Sequence, residues 1–334
     1  MTEFWTDKRV LVTGATGLVG TWLVKALLKG KARVITLVRD LDPQSDLLRT
    51  KLINQTTVVN GALEDIHSID RAINEHEVDT VFHLGAQTIV GTALRNPLPT
   101  FEANIRGSYN LLEVCRQHKS LVKRIVVASS DKAYGTSPRL PYTEEMPLRG
   151  DGPYDVSKSC TDLISSSYAC TYGLPIAIAR CGNIFGGGDL NWSRIVPGTI
   201  RSLFDGIAPV IRSNGLFTRD YIYIQDVVEA YLLLARNVER QEIKGQGFNF
   251  GPSRPYSVLD IVGAIQTLMK RPDLKPRILN EAKAEIQDQT LCSKKAERLL
   301  GWKPSYNLEE GLRETIQWYE AYLTELYEQI PALV

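Results

Sequence analysis

The chain has 334 residues, enough for one large domain or two modest ones, and 43% of them are apolar, an ordinary share for a globular protein. Its 39 basic and 38 acidic residues leave a formal net charge of +1, which argues against a nucleic-acid-binding surface or a polybasic membrane patch. Residues 1–9 do not resemble a signal peptide, and no apolar run approaches the roughly 18–20 residues that span a bilayer. We therefore expect a cytoplasmic protein with no nucleic-acid or membrane partner.

Cysteine and histidine usage narrows the chemistry further. The five cysteines show no C-x-x-C spacing, and we interpret them as reduced thiols of a cytosolic protein. The four histidines all lie within the first 118 residues, so the remainder offers little support for a histidine-based zinc site or a triad in the chain order Ser…Asp…His. We predict no metal site.

In the first 180 residues, short apolar segments rich in β-branched residues alternate with helical patterns. Strands that alternate with helices pair in parallel through right-handed crossovers, so this order predicts a doubly wound parallel α/β sheet of the Rossmann type. The apolar strands predict helices on both faces of the sheet. The predicted strands are 9–14, 33–38, 56–59, 78–84, 124–128 and 175–179, and the predicted helices include 18–28, 66–75, 101–117 and 157–171.

The second half is richer in glycine, proline and arginine, and its pattern predicts a smaller mixed α/β domain that binds substrate. We assign residues 1–180 to a dinucleotide-binding domain and residues 181–334 mainly to the substrate-binding domain. Segments from about 215–250 are expected to return to the first domain, among them a helix at 226–236 and a strand at 248–250.

A glycine-rich stretch, Gly14-Ala15-Thr16-Gly17-Leu18-Val19-Gly20, follows the first predicted strand and opens the first helix. Its glycines permit a tight turn, the approach of a pyrophosphate to the helix N-terminus, and close packing of helix on strand. Gly14, Thr16, Gly17, Leu18 and Val19 are therefore candidate contacts of a nicotinamide dinucleotide, NADP or NAD. A glycine-rich turn without a ligand is the alternative.

The end of the second strand bears on the choice between the two cofactors. An acid usually binds the ribose 2′-hydroxyl of NAD there, whereas this chain has Arg39 followed by Asp40. Arginine suits a 2′-phosphate, so Arg39 favours NADP. A shift of one residue would make Asp40 the contact and NAD the cofactor, and a solvated charge pair is a third alternative.

Further candidate cofactor contacts follow the third, fourth and fifth strands at their carboxyl ends, where ligands bind in such sheets. Small residues after the fourth strand would let a dinucleotide lie close to the backbone. For His83 alone, a packed core histidine is the better interpretation. The candidates are Asp65, Leu84, Gly85, Ala86, Gln87 and Ser129, with Asn104 in the helix that follows the fourth strand.

Two stretches carry candidate catalytic groups. Tyr154 and Lys158 share one helix face, and a neighbouring ammonium beside a cationic nicotinamide would favour the phenolate of a residue that ordinarily titrates near about 10. Ser130-Asp131-Lys132 places hydroxyl, carboxyl and ammonium groups just past the fifth strand. The alternatives are a surface Tyr–Lys pair and a polar turn.

These motifs together resemble the extended short-chain dehydrogenase/reductases, which include nucleotide-sugar epimerases and 4,6-dehydratases. The resemblance rests on the glycine turn, Ser129-Ser130, Tyr154-x-x-x-Lys158 and Arg180-Cys181-Gly182-Asn183-Ile184-Phe185-Gly186. It extends to the tail, where residues 293–304 look like the end of the family. A helical tail is expected over residues 293–322, with a break at residues 301–304.

Within that family, Ser130-Asp131-Lys132 resembles the dehydratases of the CDP-glucose 4,6-dehydratase type, in which an Asp follows the hydroxyl residue. The resemblance implies that Tyr154 removes the proton of the sugar 4-hydroxyl, Asp131 protonates the departing 6-hydroxyl, and Lys132 handles the C5 proton. The implied substrate is a nucleotide-hexose of the CDP-glucose or GDP-mannose type. This chain departs from the subgroup by carrying Ser130 in place of Thr and Arg39 in place of an acid.

Other functions remain open. A nucleotide-sugar 4-epimerase needs Tyr154 and the cofactor but not Asp131, and most 4-epimerases lack an Asp at that position. A dinucleotide-sensing regulator on the same fold would not need the Tyr154–Lys158 pair.

The resemblance also implies substrate contacts and self-association. Asn183 matches a position that contacts the nucleotide-sugar, and Arg219 matches one that contacts its diphosphate. Arg194 and Arg254 are further candidates, although a lone arginine is equally well explained by a surface ion pair. In this family the helices at 101–117 and 157–171 commonly form a four-helix contact, so we expect a homodimer or homotetramer.

Overall fold

The structure is a computed structural model that describes residues 3–281 and 286–328. The outermost residues of the two predicted domains, 1–2 and 329–334, lie outside the described residues, as do residues 282–285.

The described residues form twelve strands and twelve α-helices. The strands are β1 (Arg9–Thr13), β2 (Arg33–Val38), β3 (Thr57–Asn60), β4 (Thr80–His83), β5 (Arg124–Ala128), β6 (Ile176–Cys181), β7 (Asn183–Phe185), β8 (Val210–Ile211), β9 (Thr218–Tyr223), β10 (Gly247–Phe250), β11 (Pro255–Ser257) and β12 (Arg277–Ile278). The helices are α1 (Leu18–Lys29), α2 (Asp46–Arg49), α3 (Ile66–Asn74), α4 (Val90–Arg95), α5 (Pro97–Phe101), α6 (Gly107–Gln117), α7 (Pro153–Tyr172), α8 (Ile195–Phe204), α9 (Ile224–Asn237), α10 (Val258–Leu268), α11 (Lys294–Leu300) and α12 (Leu308–Glu328). A π-helical turn, Glu102–Arg106, joins α5 to α6.

The central sheet has seven parallel strands in the order β10-β6-β5-β4-β1-β2-β3. The order reverses at β1, so the first and second halves of the sheet extend in opposite directions from it. This is the doubly wound arrangement, and the predicted fold class is confirmed. Strands β4 and β6 are buried along their whole length, as expected for a sheet covered on both faces.

Alternate residues of β1 contribute to two separate apolar cores. Val10 and Val12 belong to a core that also contains Leu23 of α1 and Leu234 of α9. Leu11, between them, belongs to a second core built with α3, α6 and α7. Because successive side chains of a strand point to opposite faces, helices cover the sheet on both sides.

Most predicted elements agree with the structure, and the differences have local causes. Helix α7 begins at Pro153, four residues before its predicted start, because a proline is well suited to the first helical position after the capping Gly152. Strand β4 is shorter than predicted, since the backbone N–H of Val78 bonds to Ile73 in the preceding turn. Strands β2 and β5 have the predicted bounds.

The second half builds two small sheets, β11-β9-β7 and β12-β8, packed with α8, α10 and α12 around a third core. Strand β10 pairs in parallel with β6, so residues 247–250 lie in the central sheet. The domain division at residue 180 stays a prediction.

Three further expectations bear on the whole molecule. All five cysteines are free thiols in the structure. In the described part of the chain, no helix is long and apolar enough to span a bilayer. Tyr109 of α6 and Leu163 of α7 are 40% and 57% exposed on the two helices expected to mediate self-association, which stays a prediction.

The tail returns to the central sheet through Trp302, which is 2% exposed and contacts the ring of Phe250 edge-on at 4.9 Å. Its indole N–H donates to the carbonyl of Asp226 in α9 at 3.1 Å. A buried tryptophan at this place therefore joins α9, β10 and the tail.

We expect Trp302→Ala to lower the free energy of unfolding by about 3–5 kcal/mol, because it leaves a cavity beneath the tail. Trp302→Phe keeps an aromatic ring and loses the indole donor, so its cost should be about 1–2 kcal/mol. Urea unfolding followed by circular dichroism measures both. A cost below about 1 kcal/mol for the alanine variant would contradict the docking of the tail.

Candidate active site

A cavity of about 1120 Å³ opens at the carboxyl ends of β1, β4, β5 and β6 and faces the two small sheets. Because parallel strands end on the same side, the turns that follow them meet at this cavity. Candidate residues from all four turns line it. They are Gly14, Thr16, Gly17, Leu18, Val19, Leu84, Ala86, Ser129, Ser130, Asp131, Lys132, Tyr154, Lys158, Asn183, Arg194 and Arg219.

The glycine turn forms one wall of the cavity. Its backbone lies so close to neighbouring backbone that two of its glycines could not carry a side chain. Gly14 has φ +67, and a Cβ there would lie 2.7 Å from the nitrogen of Gly85. A Cβ on Gly20 would lie 2.1 Å from the carbonyl oxygen of Gly14. Helix α1 begins immediately beside the cavity, and its capping Gly17 supplies no side-chain acceptor. The N–H groups of its first turn are thus positioned for an anion.

The neighbouring wall is also suited to a dinucleotide. The N–H of Gly85 donates to the hydroxyl of Thr13 at 3.0 Å, which keeps this glycine against the glycine turn. Across the cavity, the hydroxyl oxygen of Ser129 is buried and has no hydrogen-bond partner among the described residues. A phosphate cradle, small side chains and an unsatisfied hydroxyl together fit a bound dinucleotide.

Asn104 and Gln87 lie behind this wall. The side chain of Asn104 accepts from the backbone N–H of Gln87 at 2.7 Å and donates to its carbonyl at 3.0 Å. It also donates to the hydroxyl of Ser157 in α7 at 2.8 Å. Asn104 is 1% exposed. In this structure it ties the turn after β4 to the helix that carries Tyr154 and Lys158.

His83 is a packed core residue, as predicted. Its ring nitrogens lie 3.0 Å from the hydroxyl of Thr13 and 3.1 Å from that of Ser108. Burial, and to a lesser extent the charge of Lys158, lowers the pKa of His83 to about 3. The imidazole is therefore neutral and joins β1, β4 and α6.

Six candidate cofactor residues lie beyond the cavity lining: Gly85, Gln87 and Asn104, described above, and Arg39, Asp40 and Asp65. Arg39 and Asp40 are exposed, and they pair with each other at 2.6 Å. Asp65 caps α3 by accepting from the N–H of His67 at 3.1 Å, and it also bonds to the hydroxyl of Ser68. The Ser68 hydrogen bond lowers the pKa of Asp65. The capping role accounts for Asp65, and its contact with a cofactor stays a prediction.

Lys158 is 5% exposed, and its ammonium donates to the carbonyl of Ala128 at the end of β5, at 2.8 Å. Burial lowers the pKa of Lys158 to about 8, against the opposing effect of Asp162 one turn further along α7. The lysine thus joins the catalytic helix to the sheet and titrates close to neutral pH.

Tyr154 lies one turn before Lys158, and the side chain of Ser130 acts to lower the pKa of its phenol. Desolvation by the cavity walls raises the pKa of Tyr154 to about 12, with Arg194 acting in the opposite direction. From the sequence, we expected the Lys158 ammonium beside a cationic nicotinamide to favour the phenolate. The protein groups alone do not favour it, because desolvation outweighs the effect of Arg194.

Ser130, Asp131 and Lys132 form a short helical turn directly after β5. The hydroxyl of Ser130 accepts from the N–H of Lys132 at 3.2 Å and donates to the carboxylate of Asp131 at 3.0 Å. Asp131 is 3% exposed. The ammonium of Lys132 donates to the side-chain carbonyl of Gln289. The structure therefore brings all five predicted catalytic residues to one cavity.

The predicted substrate contacts divide into two groups. Asn183, Arg194 and Arg219 line the cavity, where Arg194 pairs with Asp189 at 2.9 Å. Arg254 is outside the lining, exposed over the ring of Tyr256 at 5.3 Å. The structure does not bring Arg254 together with the others.

Arg219 is 6% exposed and is held by backbone carbonyls of its own strand and of the neighbouring segment. Its guanidinium donates to the carbonyls of Thr218 at 2.7 Å and Gln287 at 2.6 Å, and it also bonds to the carbonyl of Ile286. These contacts fix the orientation of the charge at the cavity.

Sequence reasoning missed residues that reach the site from distant parts of the chain. Gln289 contacts Lys132 from 157 positions away, and no local pattern marks it. Trp192, which lies between the candidates Asn183 and Arg194 in the sequence, also lines the cavity. An aromatic residue in that loop could have indicated a ligand contact.

Comparisons with known proteins agree with this geometry. Residues 11–315 match the model of the family described as GDP-mannose 4,6 dehydratase. The CDP-glucose 4,6-dehydratase of Salmonella typhimurium is 30% identical, over 96% of this chain and 93% of the relative.

Two solved structures have the same fold. One is the UDP-glucose 4-epimerase of Thermotoga maritima with UDP-glucose, with a TM-score of 0.85, 28% identity, and coverage of 94% of this chain and 99% of that one. The other is the dTDP-glucose 4,6-dehydratase DesIV of Streptomyces venezuelae with NAD bound, with a TM-score of 0.86, 25% identity, and coverage of 94% and 97%. With the glycine turn, the Tyr154–Lys158 pair and the match along nearly its whole length, this chain belongs to the GDP-mannose 4,6 dehydratase family, in the NAD-dependent epimerase/dehydratase group of the extended short-chain dehydrogenase/reductases.

Proposed function

We propose that this protein is a nucleotide-sugar 4,6-dehydratase, which converts a nucleotide-hexose to the 4-keto-6-deoxy sugar. The observation that carries the proposal is the placement of Asp131 and Lys132 in the same cavity as Tyr154 and Lys158. A dehydratase needs groups for a second and a third proton transfer beyond the one at the 4-hydroxyl, and this turn provides them.

Tyr154 takes the proton of the sugar 4-hydroxyl, and the side chain of Ser130 favours the phenolate that forms. Lys158 holds α7 against β5 and brings a titratable charge into the same wall. A dinucleotide held by the glycine turn would supply a nicotinamide as hydride acceptor for C4 and hydride donor for C6, so the reaction would have no net redox change.

The 4-keto group acidifies the proton at C5, which Lys132 removes. Asp131 donates a proton to the 6-hydroxyl, which leaves as water. The hydroxyl of Ser130 donates to Asp131, and this contact orients the carboxyl group within the cavity. Protonated Lys132 returns its proton to C5 when C6 is reduced, and Tyr154 and Asp131 regain their starting protonation states by exchange with water. The atoms then balance, because the sugar loses one water overall.

The substrate class follows from the remaining wall. Arg219 and Arg194 bring two guanidinium groups to the cavity, and a guanidinium matches the oxygens of a diphosphate. Asn183 supplies a neutral amide between them and the catalytic turn. We propose a nucleotide-hexose of the CDP-glucose or GDP-mannose type, and the similarity to the Salmonella CDP-glucose enzyme supports testing CDP-glucose first.

A nucleotide-sugar 4-epimerase is the second candidate. The structural likeness to the Thermotoga UDP-glucose 4-epimerase favours it, and so do the shared Tyr154 and Lys158. An epimerase has no step that requires Asp131. Substitution of Asp131 should therefore abolish the activity of a dehydratase and largely spare that of an epimerase.

We expect the wild-type protein, incubated with a panel of nucleotide-hexoses, to yield one product lighter by a single water in mass spectrometry. Asp131→Asn keeps the size of the side chain and removes the acid, so water loss should fall about 100-fold or more. Asp205→Asn changes an exposed aspartate outside the cavity and should leave the rate unchanged.

Two outcomes would contradict the dehydratase. One is a sugar whose retention time changes without a change in mass, which would indicate epimerisation. The other is an Asp131→Asn protein that loses water at nearly the wild-type rate, which would reduce Asp131 to a substrate contact.

We further propose that the nicotinamide cofactor is NAD, although Arg39 by itself favours NADP. The NAD bound by the Streptomyces relative supports this choice. The pairing of Arg39 with Asp40 supports it as well, because it partly neutralises the guanidinium that a 2′-phosphate would need.

Chromatography of the nucleotide released from the denatured protein, with titration of the stripped protein by NAD and by NADP, tests this proposal. We expect NAD to bind at least about tenfold more tightly, a difference of about 1.4 kcal/mol. Asp40→Asn should bring the dissociation constants of NAD and NADP closer together. Arg39→Gln should leave the preference for NAD in place. Tighter binding of NADP that disappears in Arg39→Gln would reverse the assignment.

A further inference from the structure

A segment from the second half of the chain, residues 286–291, enters the cavity lining at Ile286 and contacts both Arg219 and Lys132. Its backbone pairs with the start of β9, through the N–H of Thr218 to Gln287 at 3.0 Å and the N–H of Gln289 to Thr218 at 3.1 Å. The N–H of Leu291 is bound by the carboxylate of Asp220 at 2.6 Å. The segment is therefore fixed along its length.

Gln289 is the residue of this segment that reaches the catalytic turn. Its side chain is fully buried, and its amide accepts a hydrogen bond from the ammonium of Lys132. A lysine ammonium has donors only, so the atom that faces it must be the amide oxygen. The contact joins β9 and its neighbouring segment to the turn that follows β5.

We infer that Gln289 is a positioning residue for Lys132, which holds the lysine nitrogen toward C5 of the sugar with a neutral acceptor. The inference rests on the dehydratase function proposed above. Lys132 acts as a base only when its amine is free of the proton. A neutral amide orients the nitrogen and stabilises the ammonium less than a carboxylate would, so the free amine stays accessible.

The surroundings of the turn explain why a neutral partner suits this position. Asp131 lies beside Lys132, and Asp155 of α7 already acts on its charge. A carboxylate in direct contact at position 289 would hold the proton on the lysine. Among the described residues, the other ionisable groups around the turn include Tyr142, Asp151, Tyr154, Cys181, Arg219 and Asp220.

Two substitutions at this position should move the titration of Lys132 in opposite directions. In Gln289→Glu, a carboxylate faces the ammonium and favours it, so the acidic limb of the kcat/KM profile should move up by about one pH unit or more. In Gln289→Met, a side chain of similar volume replaces the glutamine and the hydrogen-bond acceptor is lost. The ammonium of Lys132 is then less stabilised, so the acidic limb of the profile should move to lower pH. The methionine variant should also lose at least about tenfold in kcat with KM changed less than about threefold, because only the orientation of a catalytic group is lost.

Substrate deuterated at C5 provides a second readout. Slower C5 deprotonation should raise the isotope effect on kcat in Gln289→Met above that of the wild type. Gln241→Glu adds the same charge at an exposed site outside the cavity and should leave both the profile and the isotope effect unchanged. Circular dichroism and thermal unfolding check that each variant is folded. If the buried carboxylate of Gln289→Glu prevents folding, the shift of the acidic limb in Gln289→Met alone tests the inference.

The outcomes separate this inference from the proposed function. A wild-type protein that releases no 4-keto product refutes the dehydratase and the role of Gln289 together. A wild-type protein that dehydrates, with folded variants that keep its pH profile and C5 isotope effect, refutes the role of Gln289 alone.

Discussion

The catalytic geometry depends on one buried ion pair between β6 and α7. The guanidinium of Arg180 donates to both carboxylate oxygens of Asp162, at 2.8 and 2.9 Å, and the side chains are 7% and 1% exposed. Its remaining nitrogen donates to the hydroxyl of Tyr134 at 2.8 Å, at the end of the turn that carries Asp131 and Lys132. One side chain thus fixes the helix with Tyr154 and Lys158 and the turn with the other catalytic groups. Removing one partner of such a pair leaves an uncompensated buried charge, which typically costs about 3–5 kcal/mol.

The pair is continued by neutral hydrogen bonds that reach the second half of the chain. The hydroxyl of Tyr134 donates to Asn249 of β10 at 2.7 Å, and the amide of Asn249 donates to the carbonyl of Tyr142 at 3.0 Å. Tyr142 in turn accepts from the N–H of Cys292 at 2.9 Å. The segment that carries Gln289 is therefore joined to the same network, from the opposite side to its contact with Lys132. Two residues from beyond position 245 thus hold the catalytic turn: Gln289 contacts Lys132 and Asn249 contacts Tyr134.

The sequence predicted those parts of the site that are formed by neighbouring residues. The glycine turn, the Ser130–Lys132 turn and the Tyr154–Lys158 pair each lie within one strand–turn–helix connection, so spacing alone places their members together. Periodicity located the strands for the same reason, since burial alternates or persists over a few consecutive residues. Where such a local rule was ambiguous by one position, as at Arg39 and Asp40, the sequence could not decide between two cofactors.

What the sequence could not predict depends on contacts between distant segments. Nothing near Gln289 indicates that it lies against Lys132, because that contact requires the path of residues 286–291 along β9. The titration of Tyr154 is a similar case. The charge of Lys158 was visible in the sequence, but the pKa of Tyr154 is raised chiefly by desolvation, which depends on walls from several elements. Likewise, Arg254 belongs to a turn rich in glycine and proline, and spacing alone could not show that this turn lies away from the cavity.

The titrating groups of the cavity suggest how its proton transfers are linked to binding. The pKa of Tyr154 is raised to about 12 and that of Lys158 is lowered to about 8, and in both cases removal from water is the largest cause. Both shifts favour the uncharged form, so the cavity walls by themselves disfavour the phenolate and the ammonium alike. A cationic group that enters with a ligand changes this balance for Tyr154, since it favours the phenolate in a medium that screens charge poorly. The tyrosine then becomes an effective base only when the cavity is filled. The buried partners of α7 make this possible, because they hold the phenol in place while its charge is still unfavourable.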